Sequence, residues 1–391
     1  MLFTVFVDLI GFGIIIPLLP FYTGSVGGGP AVLGLLIAAF FAMQFLFSPV
    51  LGRLSDRVGR RPVLIGTLVL ATVGHLTLSI AGSLVLLFTA RILAGIASGN
   101  LSVAQAYIAD RTRPEERARG MGLIGAAFGV GFAIGPVIGG TFAPFGLGVP
   151  ALAAAALAAT NLVLAALFLP ESLAPELRRE NGKQRPTNLR EAVRRPSIRA
   201  LLATFFVVSF SFSTVPVAFP SLGITYFGLG TTELALIFVY IGVVNIVVGS
   251  AAGRLARRVG EERLVATGTF AMMAGLAIVP LIPNLSVYVL TTGIVATGVA
   301  IAFPLVPSLV SKRTPPQEHG AVLGITQAFG SLARVPGPLV AGFLYEQLNP
   351  AAPFLLSAAL MGLGFAMALL VYRDSRRLTE RRVVASPSTD E

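Results

Sequence analysis

Twelve apolar runs of about 20 residues follow one another along this 391-residue chain, and they limit its fold more than any other feature. In hydrocarbon, a backbone group without a hydrogen-bond partner costs several kcal/mol, so each run is predicted to be a membrane-spanning helix. The first run has no charged n-region and no small-residue cleavage site, so we expect a span and not a signal peptide. The runs lie at 2–22, 31–51, 62–81, 84–108, 119–142, 148–169, 200–223, 232–252, 264–283, 286–310, 320–343 and 352–372.

The composition excludes an ordinary soluble domain. Hydrophobic residues make up 55% of the chain and charged residues 12%, with a mean hydropathy of +0.83. A soluble domain carries about 25% charged residues. The chain has no cysteine, so it can form neither a disulfide framework nor a thiolate metal site. No His/Asp/Glu pattern of metal-ligand spacing is seen either, and we expect no metal and no cofactor.

The basic residues explain the net charge of +11 without nucleic acid. Apart from Arg91 and Arg334, every Lys and Arg lies in the alternate connections that follow even-numbered spans, or in the C-terminal tail. The positive-inside rule places these segments, and both termini, in the cytoplasm against anionic lipid. The sequence therefore predicts an integral membrane protein, most simply of a bacterial inner membrane.

A repeat divides the chain into two similar units. Gly52, Arg53, Leu54, Arg57, Val58 and Gly59 recur 201 residues later as Gly253, Arg254, Leu255, Arg258, Val259 and Gly260. An internal repeat of this kind predicts an all-α polytopic fold of two pseudo-symmetric six-helix bundles. We expect bundles at 1–169 and 200–372, a cytoplasmic linker at 170–199 with a short helix near 188–195, and a disordered basic tail at 373–391.

Four motifs together resemble the major facilitator superfamily over essentially the whole chain. They are G-x-x-x-D-R-x-G-R-R at 52–61, Arg91 to Gly99 in the fourth span, the glycine-rich Gly129 to Gly140 in the fifth, and Asp8 to Pro20 in the first. The glycine-rich segment of the fifth span and the Asp8 to Pro20 segment are similar to those of the drug:proton antiporter branch, nearest to the tetracycline-exporter type. The resemblance implies a secondary transporter that works by rocker-switch alternating access and is driven by a proton gradient.

In this interpretation, Asp8 and Arg91 are the residues that couple transport to protons. Charged groups inside spans are costly and mark function by default. Asp8 is the one clear deep acid, although so near the chain start it could simply reach the inner interface. The resemblance makes Arg91 its partner, but the two positions differ by about 13 Å in depth, so a direct ion pair needs tilt, water or a third group.

The charged 52–61 segment is interpreted as a cytoplasmic gate. The resemblance implies that Asp56 is held at the start of the eleventh span of the other half, where the helix dipole favours a carboxylate by about 0.3–1 kcal/mol. The alternative is that these charges only fix the topology, by the positive-inside rule. The gating residues are Gly52, Arg53, Asp56, Arg57, Gly59, Arg60 and Arg61.

A glycine stripe in the fifth span carries the antiporter signature. Gly131, Gly135 and Gly139 share one helix face, and Pro136 bends the rod. Together with the eleventh span, this stripe is interpreted as a surface on which the halves rock. Ordinary glycine packing within a bundle is the alternative.

Polar residues inside the spans are candidates for the wall of a central cavity. Ser98, Ser102 and Gln105 share the helical face of Arg91, whereas Asn100 is predicted to point away from it. The remaining candidates are Phe12, Gln44, Tyr240, Asn245, Gln327 and Arg334.

The leading functional hypothesis is proton-driven export of amphipathic small molecules, as in multidrug efflux. The alternative is a carrier for an organic anion or metabolite that Arg91 and Arg334 hold in the cavity. Tetracycline itself is in question, because tetracycline exporters carry acids in spans three and nine and this chain does not. An enzyme is disfavoured, since no nucleophile–base pattern or phosphate-binding loop occurs in the spans. The expected partners are protons, the small-molecule substrate and lipid, with no nucleic acid, and the protein is expected to be a monomer.

Overall fold

The computed structural model describes residues 1–111, 117–173, 195–281, 284–314 and 319–385, and these are all helix or connection, with no strand. The first six spans are the helices Leu2–Ile15 with Leu19–Ser25, Pro30–Val58, Arg60–Ser79, Leu84–Ser98 with Asn100–Arg111, Arg117–Phe142 and Gly148–Phe168. The last six are Pro196–Phe227, Thr231–Val259, Glu261–Ile278, Leu285–Lys312, His319–Ala333 with Pro336–Gln347, and Ala352–Ala385.

The helices match the twelve apolar runs. Within the described ranges, ten helical segments are long and apolar enough to cross a membrane, and Gly129–Phe145 of the fifth span is a shorter apolar helix. The eleventh span is divided, because Pro336 has no N–H to continue the helix that ends at Ala333. The protein is an integral membrane protein with an all-α fold.

Each six-span group packs chiefly on itself. In the first group, span one lies against spans five and six, and span three against spans four and six. In the second, span nine lies against spans ten and twelve, and span seven against spans ten, eleven and twelve. The main contacts between the groups are those of span five with span eight and of span two with span eleven. These groups are called the two halves below.

The halves meet at one end of the bundle and separate towards the other. We call the end that carries Arg53–Arg61 and Arg254–Arg263 the basic face, and the other end the opposite face. The separation can be followed along one side of span eight, on which Ala235, Gly242 and Gly249 lie seven residues apart. A Cβ at Gly140 would lie 2.6 Å from the Ala235 Cβ, and one at Gly242 would lie 2.7 Å from the Ala133 Cα, yet one at Gly249 meets nothing within 4 Å. The structure is therefore open at the basic face.

The glycine stripe of span five faces span one. A Cβ added at Gly135 would lie 2.6 Å from the Gly13 Cα, and one at Gly139 would lie 2.6 Å from the Ile14 oxygen. The interpretation of this stripe as a surface between the halves was wrong, because its partner belongs to the same half. Other residues of span five, Ala133 and Gly140, face span eight.

The twelfth helix continues through Ala385, so the prediction of a disordered tail from residue 373 was wrong up to that position. Its Arg-rich sequence favours a helix, and no glycine or proline interrupts it before Pro387. The short helix expected near 188–195 lies almost wholly outside the described residues. The seventh helix begins at Pro196, four residues before its predicted start.

Candidate functional site

Asp8 is held between two asparagine side chains in the first half. Asn100 Nδ2 donates to Asp8 Oδ2 at 2.6 Å, and Asn161 Nδ2 lies 3.4 Å from Asp8 Oδ1. Span one thus places Asp8 against both span four and span six. Asn100 faces span one, whereas Arg91 and Ser102 of the same span contact span two, so the prediction that Asn100 points away from the Arg91 face agrees with the structure.

Asn161 is the more deeply buried of the two partners of Asp8. It is 1% exposed, and its Nδ2 also donates to the Thr4 carbonyl oxygen at 3.0 Å. Its Oδ1 is buried and has no hydrogen-bond partner. A buried acceptor without a donor is costly, so this oxygen is an unsatisfied group beside the Asp8 site.

Arg91 lies apart from Asp8. Its side chain is 2% exposed, and its Cζ lies 5.8 Å from the centre of the Phe40 ring. Within the described part of the chain, no carboxylate pairs with it, and its Nε is buried without a partner. The contact with Phe40 contributes about 0.5–2 kcal/mol, which is less than the cost of burying a charge.

Arg334 lies in the break of span eleven and approaches the same aromatic pair from the other half. Its Cζ lies 5.6 Å from the centre of the Phe41 ring, and its Nη2 donates to Ser331 Oγ at 3.0 Å. Its Nε is also buried without a partner. Neighbouring rings of span two therefore carry one guanidinium from each half.

The Phe40 and Phe41 rings lie in an aromatic cluster with Phe12. The Phe12 ring is 5.2 Å from that of Phe40 and 5.7 Å from that of Phe132 in span five. Phe12, predicted to line the cavity, thus lies beside the Phe40 ring of the Arg91 contact, and the Phe40 ring is 5.4 Å from that of Phe41.

An apolar crevice of about 300 Å³ opens beside Arg334, between span two and spans seven and eleven. The volume is at the lower end of the range for small-molecule sites. It is lined by Ala42, Phe45, Leu46, Phe206, Leu332, Val335, Pro336 and Leu339.

The other predicted cavity residues are scattered. Ser102 Oγ donates to the Ser48 carbonyl oxygen, and Gln44 Nε2 lies 3.5 Å from that of Ser98, so this stripe faces span two of its own half. Asn245 lines a separate cavity of about 20 Å³, which has room for about one water. Tyr240 packs on Gly293 of span ten, Gln105 is half-buried and Gln327 is exposed.

The gating segment forms a charged cluster at the basic face. Arg60 is 5% exposed and bonds Asp56 at 2.6 Å, Asp110 at 3.2 Å and Ser55 Oγ at 2.6 Å. Asp56 therefore pairs inside its own half, and its contact with the start of span eleven remains a prediction for a conformation closed at this face. Gly59 has a φ of +109°, a backbone conformation that favours glycine. The Arg53 and Arg57 side chains are exposed.

Glu171 joins this cluster from the end of span six. Burial alone would raise the pKa of its carboxyl group, but four backbone N–H groups hold that pKa below its usual value. The donors belong to Leu173, Arg60, Ser172 and Arg61. The carboxylate thus caps the start of span three.

Comparison with known families agrees with this geometry. The family profile described as Major Facilitator Superfamily matches residues 1–338 and, in a second match, 282–387. The chain belongs to the major facilitator superfamily.

Three members of the superfamily show the range of its relatives. Tetracycline resistance protein, class C, of Escherichia coli is 32% identical over 88% of this chain and 88% of its own length. Multidrug resistance protein 2 of Bacillus subtilis (strain 168) is 30% identical over 94% and 93%. The crystal structure of the human organic anion transporter MFSD10 (TETRAN) has a TM-score of 0.72 at 26% identity, covering 94% of this chain and 97% of that one.

Proposed function

We propose that this protein exports amphipathic small molecules in exchange for protons, by alternating access between its two halves. Asp8 carries the proton. The observation that supports this role most strongly is its setting: a carboxyl group inside the first span whose bonded partners are two neutral amides.

Neutral partners suit a group that must bind and release a proton. Two amide N–H donors stabilise the carboxylate, and each amide oxygen can accept a bond from the protonated form. Asn100 Oδ1 supplies such an acceptor after a half-turn of its amide. A direct bond to an arginine would instead favour the charged form throughout the cycle.

The arrangement also suggests where the coupling takes place. Asp8, Asn100 and Asn161 all belong to the first half, so rocking of rigid halves leaves their bonds intact. Asp8 is partly exposed in this conformation, which is open at the basic face. The proposed cycle therefore changes which side of the membrane supplies water and protons to an unchanged site.

The names of the relatives support a drug-like molecule as the cargo. Two of those reported above are, by name, a tetracycline resistance protein and a multidrug resistance protein. The apolar crevice and the Phe12–Phe40–Phe41 cluster offer surfaces for an amphipathic molecule.

Proteoliposomes loaded with a pH gradient test the role of Asp8. Ethidium, Nile red and 8-anilinonaphthalene-1-sulfonate serve as cationic, neutral and anionic probes. We expect Asp8→Asn to abolish gradient-driven transport of whichever probe the native protein moves, while exchange of that probe without a gradient persists. Glu233→Gln, which alters an exposed carboxylate at the opposite face, is the control. Undiminished gradient-driven transport by Asp8→Asn would end this proposal.

A second candidate, an organic anion carrier, is favoured by two guanidinium groups inside the spans, that of the buried Arg91 and that of the half-buried Arg334. Arg91 and Arg334 lack carboxylate partners in the described ranges, and an anionic group would supply the missing charge. The MFSD10 structure, titled as that of an organic anion transporter, is the comparison that supports this candidate.

Equilibrium binding of the three probes separates the candidates. If the cargo is anionic, Arg334→Ala weakens binding of the sulfonate probe by about ten- to hundredfold, the range for a lost hydrogen bond to a charged group. Binding of ethidium and Nile red stays unchanged, and so does sulfonate binding in Arg254→Ala, whose side chain is exposed at the basic face. Equal sulfonate affinity in the native protein and in Arg334→Ala would contradict the anion candidate.

A further inference from the structure

One carboxylate joins the two halves at the opposite face. Glu346, near the end of span eleven, accepts a hydrogen bond at Oε2 from the backbone N–H of Ala31 at 2.9 Å. Ala31 is in the first turn of span two, which begins at Pro30. A carboxylate of the second half thus caps a helix of the first half, where free N–H groups and the helix dipole favour negative charge.

The backbone around this bond is shaped for close approach. A Cβ at Gly29 would lie 2.7 Å from Glu346 Oε2, so the carboxylate occupies space that any other residue would fill. One turn before Glu346, Gly342 meets the Pro30 carbonyl oxygen, and deeper in the membrane Gly34 meets that of Pro338. Spans two and eleven are therefore in backbone contact from Gly34 up to the Glu346 bond.

The internal repeat shows what is unusual here. The start of span eight, at Gly230 and Thr231, corresponds to Gly29 and Pro30 at the repeat offset. Span eight is capped by its own residue, since Glu233 Oε2 accepts from the Gly230 N–H at 3.0 Å. The position equivalent to Glu233 in span two is Val32, which has no acceptor. Span two instead receives its carboxylate from the other half.

We infer that Glu346 is a gating residue of the transport cycle, which holds the opposite face closed while the basic face is open. The bond crosses between the halves at their contact end, so it must break whenever the opposite face opens. The Glu233 bond lies within one helix and is unaffected by that motion. The inference rests on the proposed alternating access, but not on any proton or substrate.

Pulsed dipolar spectroscopy on spin labels tests this gate. The native chain has no cysteine, so Ser25→Cys and Leu348→Cys, one exposed position in each half at the opposite face, can be labelled without background. We expect Glu346→Ala to raise the ratio of long to short distances about two- to fivefold, the range for a carboxylate at an exposed helix N-terminus. Glu233→Ala, which removes a carboxylate of the same face, should leave the ratio unchanged.

A second variant keeps the glutamate and removes its space. Gly29→Ala places a methyl group against Oε2 and should shift the ratio in the same direction as Glu346→Ala. The gate is refuted if neither variant shifts the ratio, or if Glu233→Ala shifts it as much as Glu346→Ala does. Because no gradient or probe is present, this result stands apart from that of Asp8→Asn.

Discussion

The neighbours of Asp8 are as informative as Asp8 itself. Asn161 is buried, donates to Thr4 and Asp8, and keeps an acceptor without a donor. Its two donated bonds join span six to Asp8 and to Thr4 one turn earlier on span one, which fixes where the carboxyl group lies. We therefore assign Asn161 a positioning role in the proposed proton exchange.

Asn161→Ala tests that role. We expect gradient-driven transport to fall about tenfold or more, because a hydrogen bond to a charged group contributes about 1.5–3 kcal/mol. Exchange without a gradient should be unchanged. Thr67→Val is the matched control, since Thr67 is buried in the same half and donates only to Leu64 within its own helix. An equal fall in both variants, or in both modes of transport, would indicate a general packing defect.

The sequence pointed to Asp8 but not to its partners. A lone acid in an apolar run stands out by composition, whereas nothing in the sequence shows that the face of span four with Asn100, away from Arg91, meets span one. Asn161 was visible as a polar residue in the sixth run. Its role depends on span six lying beside span one, and that contact cannot be read from a single sequence.

Glu171 gives stability a pH dependence of defined sign. Its folded-state pKa is held below the unfolded value of about 4.3, so its contribution is full above that pH and is lost as the pH falls through the folded-state pKa. In thermal unfolding of detergent-solubilised protein between pH 3 and 7, native protein should lose more stability below about pH 4.3 than Glu171→Gln does. Identical acid profiles would show that the cap has no net effect.

At the scale of helices, each half has an ion pair, called a brace here, between the start of its third helix and the end of its fourth. The charge at the start of the third helix is positive in one half and negative in the other. Arg60 at the start of span three bonds Asp110 at the end of span four. At the repeat offset, Glu261 starts span nine and bonds Lys312 at 3.0 Å, and Glu262 bonds Arg313 at 3.2 Å. Arg60 and Glu261 are equivalent positions of opposite charge, whereas the partner is displaced by one residue, since Asp110 corresponds to Ser311 and not to Lys312.

The braces differ in burial, and their variants should differ in cost. The Arg60 side chain is 6% exposed, and Arg60→Ala removes its ion pairs with the partly exposed Asp56 and Asp110, so it should cost about 1.5–3 kcal/mol. Lys312 is 65% exposed, and Lys312→Ala should cost at most about 1 kcal/mol. Thermal unfolding of both variants measures the difference. Equal losses would mean that burial does not set the strength of these braces.

Helix positions were readable from the sequence because hydrocarbon fixes both their length and their backbone bonding. Helix partners were not. The spacing of Gly131, Gly135 and Gly139 indicates close packing on one face, but an identical stripe could face span one or the other half. Only the folded arrangement shows that span one takes it, leaving Ala133 and Gly140 for span eight.

For the whole molecule, the proposed cycle makes the contact between spans five and eight a hinge, and its two ends can be blocked separately. Gly242 and Gly249 share one face of span eight, and only Gly242 touches span five in this conformation. A larger side chain at Gly242 would clash here and relax when the opposite face opens. One at Gly249 fits here and would clash when the basic face closes.

Two variants of the same helix should therefore move the equilibrium in opposite directions. Ala235→Cys reports on it, since Ala235 is 2% exposed where the halves meet, and an impermeant maleimide reaches position 235 only when the opposite face opens. Overpacking costs about 1–3 kcal/mol, so Gly242→Leu should speed labelling about five- to hundredfold. Gly249→Leu should slow it, because the only conformation open at the opposite face becomes strained. If both variants change labelling in the same direction, the halves do not rock about this contact as rigid bodies.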